Sequence, residues 1–430
     1  MASSRKSQLN PNIGKRIAVA LSGGLDSVVL LDTVCKAVKH HSQTEVFVFH
    51  VHHGLQKLAD EWLVFCEKLA KHYQVPFDFR LLHLDQSQGN IEARARAGRY
   101  EALASLCEDY GVEDLLLAHH QNDQAETVLL QLLRGAGVAG LSGMPELRHI
   151  AGASKPITIW RPLLNQSRAE LETYAKEHHL QWIEDPSNRD RKYRRNAIRK
   201  DIIPKLEKIQ PQAVANIARS ASLLSEAQGL LDRLAIDDGK DILQQGSLWV
   251  KPLLSKAQSD LPAANNILRY WLKQHYLAMP SQERLDAWWR DLNKARVDAQ
   301  LMWTHDGQEI RLWRNQLHLV PDAGGRWVFK AVKATSNNPG LPAAWVKKAQ
   351  REGLIEYRAR SGSEKLQTKP NAPRKTLKNL YQEADIPPWQ RSASLLFIDN
   401  QLVAVAGIGV SYPHLVKQGA RVWPEWTQES

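Results

Sequence analysis

Cysteine is scarce in this sequence: there are three in 430 residues, Cys35, Cys66 and Cys107, and none belongs to a CxxC pair. So few cannot staple a disulfide scaffold. Each lies in a stretch of helical apolar spacing, so reduced core thiols in a cytoplasmic protein are expected. Long apolar runs are missing as well, and nothing approaches the ~18 residues of a membrane span. The stretch that most imitates a signal peptide, IAVAL after Lys15-Arg16, is soon broken by Gly23, Gly24 and Asp26. Neither a GxxxxGK[ST] loop with its lysine nor a GxGxxG fingerprint opens the chain, so the common phosphate-binding and dinucleotide-binding loops are excluded. Internal repeats and low-complexity tracts are also absent.

Positive charge is in excess: 57 Lys+Arg against 46 Asp+Glu give a net +11. On a chain of this length, enough for about three domains, that balance favours a polyanionic partner. The first half alternates β-branched runs at 17–21, 45–51, 77–84 and 114–118 with amphipathic stretches. In the first of these stretches Val28, Leu31, Cys35 and Val38 form one apolar stripe; others run over 57–74 and 91–110, and a fourth starts near Asn122. Such alternation predicts an α/β fold with a doubly wound parallel sheet at the N-terminus. Ser167 and Glu170 read as a capping box opening a helix to His179. After Pro204 long helical stretches follow, with no strand expected before about Gln300. A hairpin turning at Asp306-Gly307 comes next, then a linker over 336–344, a helix over Thr376 to Glu383 and a pair of apolar runs. The expected domains are 1–209, a mostly helical 210–335 and a small α+β module over 345–430.

Chemistry is concentrated first in Ser22-Gly23-Gly24-Leu25-Asp26-Ser27, between a strand and a helix. Two glycines let backbone N–H groups converge on an anion, the helix start adds partial positive charge, and serine hydroxyls can donate to phosphate oxygens. Asp26 would repel a bare phosphate, so its natural task is to hold the Mg²⁺ that bridges phosphate oxygens. A second cluster, Asp123 and Glu126, stands three residues apart at a helix start, an acidic pair suited to a cationic substrate. Arg96 and Arg99 share a helix face able to clamp a phosphate or carboxylate. Between 185 and 199, Arg189, Arg191, Lys192, Arg194, Arg195 and Arg199 interleave with Tyr193, a pattern suited to RNA phosphates and an unstacked base. His50, His52 and His53, like His119 and His120, have no metal-ligand spacing, because alternate residues at a strand end point to opposite faces. RGAGVAGLSG (134–143) holds four glycines, too many for a helix, and reads as a loop that closes over the site or accommodates RNA.

SGGxDS after the first strand resembles the signature of the PP-loop ATP pyrophosphatases, whose fold is that of the adenine nucleotide alpha-hydrolases. HVHHGL (50–55), EARARAGRY (92–100), AHHQNDQAETVLLQLLRGAGVAGLSGM (118–144) and RPLL with EDPSNRDRKYRRNAIR (161–199) resemble one family within it, the tRNA(Ile)-lysidine synthases. The resemblance implies ATP-dependent adenylation of the C2 carbonyl of the wobble cytidine in a CAU anticodon, followed by attack of the ε-amine of free L-lysine. It implies ATP and Mg²⁺ held around Ser22, Gly23, Gly24, Leu25, Asp26 and Ser27, with His50 and Val51 near the adenine. Lysine is expected at Asp123, Glu126 and Arg99, with Arg96 beside them, and tRNA at Arg194, Arg195 and Arg199. Lys378, Arg391 and Trp389, with Lys369, Arg374 and Lys375, are expected to hold tRNA away from the anticodon. The family pattern HHxDDxxET has Asn122 in place of its first Asp. An isoleucine tRNA is the expected partner, with no stable protein partner. A tRNA thiolase of the same superfamily would need catalytic or cluster-binding cysteines, and these three are wrongly placed. A non-catalytic RNA binder would need neither Asp26 nor the acidic pair. A small-molecule amidotransferase-like synthetase would leave the basic C-terminal half without a purpose.

Overall fold

The computed structural model describes residues 16–39, 44–52, 59–82, 91–150, 157–184, 186, 191–192, 194–244, 246–295, 301–320, 324–333 and 337–428. Two compact units result, one reaching Gly239 and including Asn265–Ser281, the other made of Lys240–Ala264 and Gln282–Ser430.

In the first unit, β1 (Arg16–Ala20), β2 (Glu45–His52), β3 (Phe77–Leu81), β4 (Asp114–Leu116), β5 (Leu147–Ile150) and β6 (Ile157–Trp160) form one sheet in the order β3-β2-β1-β4-β6-β5. All neighbours are parallel except β5, which runs antiparallel to β6 at the edge. The doubly wound sheet is therefore present. Strand periodicity explains its two apolar faces. Ile17, Val19, Val46 and Val48 pack with α1 (Leu25–Val38), α2 (Ala59–His72) and α6 (Arg168–Glu177). Ala18, Phe47, Phe49, Val51 and Leu115 pack on the other side with α3 (Ile91–Tyr110). β1 sits in the middle, with β2 and β3 on one side and β4 on the other. The strand order reverses there, and in an open parallel sheet ligands bind beyond the carboxyl ends of the strands at such a point.

α4 (Gln121–Leu132) follows β4, and α5 (Val138–Leu141) lies inside the glycine-rich stretch that was expected to be loop. This one-turn helix survives poor propensity because Leu141 N–H and Ser142 N–H find the Gly137 and Val138 carbonyls at 3.0 and 2.9 Å, and because it packs on α9 (Ala213–Asp238). Gly143 is required: its φ is +67° and a Cβ there would lie 2.6 Å from Gln124 Oε1. That amide accepts from Met144 N–H at 2.7 Å and donates to its carbonyl at 3.0 Å. α7 (Arg194–Ala197), a π turn over Ile198–Ile202 and α8 (Ile203–Ile209) precede α9. The wide turn ends just before Pro204, whose ring would clash with the carbonyl four residues back and cannot donate to it.

The second unit holds strands earlier than expected. Leu243–Gln244 and Ser247–Trp249 form a short antiparallel pair, and the latter extends the hairpins over Met302–His305, Gln308–Trp313 and Gln316–Val320 into a five-stranded sheet. A two- or three-residue strand has no periodicity to read; partners supplied from afar make it one. Asp306-Gly307 turns as expected, with φ of 52° and 79°, and Arg314-Asn315 makes a second turn of the same hand at 45° and 67°. Within the expected linker Leu341–Pro342 pairs with Arg421–Gln428, and a helix runs over Ala343–Arg351. The C-terminal core joins Trp327, Leu341, Val346, Leu396 and Ile398.

Candidate active site

Ser22 to Ser27 leave the carboxyl end of β1. Leu21 N–H still pairs with the Phe49 carbonyl at 2.9 Å, after which the chain turns at Gly23 with φ +84°. A side chain there would be strained and would press on Cys66 and Phe65. Ile183 N–H pins the turn through the Gly23 carbonyl at 2.9 Å. Ser27 Oγ donates to the Gly24 carbonyl at 2.9 Å and accepts from Ser22 N–H at 3.2 Å, so Ser27 shapes the loop while Ser22 lies exposed. Gly24 caps α1 without a side chain. The first-turn amides of α1 therefore have no side-chain cap, an arrangement able to receive an anion.

Asp26 projects from that first turn. Its Oδ1 accepts from Arg168 Nη1 at 2.7 Å, and its Oδ2 stands 3.5 Å from His120 Nε2. The same Nε2 lies 3.5 Å from Asp123 Oδ2, so one imidazole bridges the two sequence clusters. His120 is also the N-cap of α4, its Nδ1 accepting Asn122 N–H at 3.2 Å. That cap needs a lone pair on Nδ1, which puts the proton on Nε2, facing both carboxylates. Asn122 Oδ1 accepts Arg168 N–H at 3.0 Å, tying the start of α4 to the start of α6. An amide oxygen does this as well as a carboxylate.

Asp123 and Glu126 share the inner face of α4, and the structure sets two of the expected RNA-binding arginines on them. Arg195 and Arg199, four apart, point to the same side. Glu126, 0% exposed, accepts from Arg195 Nε at 2.7 Å and from Arg199 Nε and Nη2 at 2.6 and 3.0 Å. Asp123 Oδ1 accepts from Arg195 Nη2 at 3.1 Å and Arg199 Nη2 at 3.3 Å. Burial raises the Asp123 carboxyl, but His120 and Arg195 outweigh it and hold it below the usual range.

A cavity of about 340 Å³ joins Ser22, Asp26, Arg99, His119, Asp123 and Arg195. A larger one, about 710 Å³, runs past His50, Val51, Trp62, Arg168 and Trp182. Arg99 lines both, whereas Arg96 is exposed on the same helix. His50 is buried with Nδ1 2.8 Å from the Leu21 carbonyl, and burial lowers its pKa. His52 Nε2 lies 3.1 Å from Asp60. No group of three metal-ligating side chains occurs among the described residues. Arg194 is exposed; His53, Asp185, Arg189 and Tyr193 lie outside the described residues. In the second unit Lys378 and Lys369 are exposed. Arg391 turns inward, its Nε donating to the Ile386 carbonyl at 2.7 Å and its guanidinium standing 5.7 Å from the Trp313 ring. The cysteines are buried, and burial pushes the thiols of Cys35, Cys66 and Cys107 up to about 11, 12 and 12.

Sequence reading missed Arg168 and Arg161. Arg168 stands inside the capping box, where only Ser167 and Glu170 drew notice. Arg161 belongs to RPLL but looks on paper like any strand-end cation.

An uncapped helix start after β1, at the point where strand order reverses, suits an anionic ligand, and the model of the PP-loop domain matches residues 1–206, which sets this α/β domain in the ATP-using PP-loop class. The TilS substrate binding domain matches 257–318 and the TilS substrate C-terminal domain 355–426. The tRNA(Ile)-lysidine synthase of Nitrosomonas europaea is 36% identical over 96% of this chain and 92% of its own length. That of Serratia proteamaculans is 35% identical over 95% and 94%. Among solved structures, the U34-tRNA thiolase NcsA from Methanococcus maripaludis is 20% identical with a TM-score of 0.43, covering 50% of this chain and 72% of that one. This chain belongs to the tRNA(Ile)-lysidine synthase family.

Proposed function

We propose that this protein converts the wobble cytidine of an isoleucine tRNA with a CAU anticodon to lysidine, as a carbon–nitrogen ligase consuming ATP and free L-lysine. The C2 carbonyl oxygen of cytidine attacks the α-phosphorus of ATP, the α–β bond breaks, and pyrophosphate leaves. The lysine ε-amine, having lost a proton, then attacks C2, and AMP departs with the former carbonyl oxygen. The product base pairs with A instead of G.

The observation that carries this reading is the meeting of an uncapped, glycine-built helix start with an acidic pair at the carboxyl ends of β1 and β4. First-turn amides of α1 with Ser22 suit a pyrophosphate, on a loop that Ser27 shapes; His50 and Val51 suit the adenine side. Asp26 fits a magnesium ion, which asks for one or two carboxylates and takes its other ligands from phosphates and water. When bound, the ion neutralises charge on the phosphate oxygens. Asp123 and Glu126 suit the lysine ammonium, with Arg99 for its carboxylate and Arg96 at the rim. Because Arg195 and Arg199 already balance that pair, an incoming ammonium has to displace a guanidinium, and the displaced arginines suit RNA phosphates.

The catalytic domain is read as 1–209. tRNA contacts are assigned to 210–335 and 345–430 as well, and the proposed surface takes Arg194 from the catalytic domain and Lys378 and Arg391 from the last segment. The enzyme is read as acting in the cytoplasm without a stable protein partner; among the described residues no helix is long and apolar enough to cross a membrane. A thiolase reading is disfavoured, because buried thiols titrating near 11 and 12 make poor thiolates.

Separating the half-reactions tests the reading. Asp26→Ala abolishes tRNA-dependent pyrophosphate release, and Asp123→Ala releases pyrophosphate but incorporates no lysine. Normal lysine incorporation by Asp123→Ala would overturn the lysine site.

A further inference from the structure

His119 lies three residues past the end of β4 and lines the smaller cavity with Ser22, Arg99 and Asp123. Its Nδ1 accepts a hydrogen bond from Arg161 Nε at 3.3 Å. Arg161, just after β6, is only 2% exposed, and its Nη1 donates to the Pro145 carbonyl at 2.6 Å. A guanidinium has donors only and stays charged. The ring nitrogen it faces must therefore present a lone pair, and a neutral imidazole with its lone pair on Nδ1 carries its proton on Nε2.

The cations around the ring act in the same direction, and Asp123 opposes them. Burial, opposed by Asp123 and assisted by Arg161, Arg99 and Arg195, pushes the pKa of His119 down. These four side chains come from α4, the turn after β6, α3 and α7, so the ring meets three cations and one anion. Among the described residues Nε2 has no protein partner. The neighbouring His120 carries its proton on Nε2 as well, fixed by a backbone amide instead of an arginine.

We propose that Arg161 is a positioning residue that holds His119 as a neutral Nε2–H donor, so that His119 binds an anionic oxygen of the substrates in this cavity and does not take the lysine proton. Substrate identity here rests on the function proposed above. Two oxygens share the required chemistry: the carboxylate of lysine and a phosphoryl oxygen of the adenylate.

The tautomer is tested without any activity. Nitrogen-15 spectra of the full-length protein, with His119 assigned from its loss in His119→Gln, show an unprotonated Nδ1 and a protonated Nε2 between pH 6 and 8. A proton on Nδ1, or a doubly protonated ring at pH 7, overturns the proposal whether or not the protein makes lysidine. In single-turnover lysine incorporation, the glutamine amide reaches the place of Nε2 and can donate but cannot act as a base. His119→Gln therefore keeps the rate within about tenfold, while His119→Ala loses about a hundredfold or more. Equal loss in both makes His119 a base and overturns the proposal.

The source of the oxygen follows from the alanine variant. A rise in KM for lysine that is absent with lysinamide assigns the carboxylate; slowed pyrophosphate release with either amine assigns the phosphoryl group. Neither effect in the alanine variant overturns the donor role. Arg161→Met lowers activity in the wild-type background and has no further effect in the His119→Gln background, since an amide has no tautomer to set. Equal damage in both backgrounds reduces Arg161 to a packing role and overturns the assignment.

Discussion

Removal of Glu126 is the most quantitative perturbation of the site. Its fully buried carboxylate receives three charge-assisted hydrogen bonds, at 2.6, 2.7 and 3.0 Å, from two guanidinium groups. Glu126→Ala leaves Arg195 and Arg199 facing Asp123 alone, and breaking a buried pair this way costs about 3–5 kcal/mol. Side chains of Arg195 and Arg199 are 25% and 39% exposed, so water recovers part of that and about 3 kcal/mol remains. In a protein of several units the meaningful readout is local. Amide hydrogen exchange over α4 and α7 should lose about a hundredfold in protection, with little change in the second unit. Glu126→Gln should not rescue, because its NH₂ group meets guanidinium donors. The exposed Arg168–Glu172 pair is the control, and Glu172→Ala should cost less than about 1 kcal/mol. Wild-type protection in Glu126→Ala would refute the claim that this carboxylate holds α4 to α7.

Two further outcomes follow from groups away from the site. Asp32 accepts from Tyr73 and Tyr174 hydroxyls at 2.8 and 2.7 Å and pairs with Lys36; burial raises its carboxyl, yet these partners win and hold it below the usual range. A depressed carboxyl adds stability above its unfolded pKa and loses it as pH falls, so Asp32→Asn should cost about 2 kcal/mol at pH 7 and approach wild type below about pH 4; a gap that stays constant with pH contradicts this. The three buried thiols should resist a disulfide reagent at pH 8 in the native state and all react after denaturation; rapid labelling of a native thiol would contradict their burial.

The glycine turn, the parallel strands and the acidic helix start were legible because each is local: a fixed spacing carries its own geometry. Long-range pairings were not. Arg168 meets Asp26 across 142 positions, and Arg195 meets Glu126 across 69, so a reading of charge runs placed Arg195 and Arg199 toward RNA although they face carboxylates. Composition shows that a segment is basic and leaves open which way its arginines point. Helix α5 formed against its glycine content because α9 gives it a surface, and the strand over Arg421–Gln428 was hidden by its proline and mixed polarity until Gly325–Val332 paired with it. Asn122 looked like a lost carboxylate and proves to accept a backbone amide, a task needing only an oxygen.

In the proposed reaction a nucleotide held at Ser22–Ser27 activates a base for attack by lysine bound near Asp123. Incubation with ATP, magnesium, labelled lysine and an isoleucine tRNA bearing a CAU anticodon tests it directly. Label is expected at the wobble cytidine, with one AMP and one pyrophosphate formed for each lysine. An unlabelled tRNA in the presence of folded protein, or ADP and phosphate in place of AMP and pyrophosphate, would contradict it.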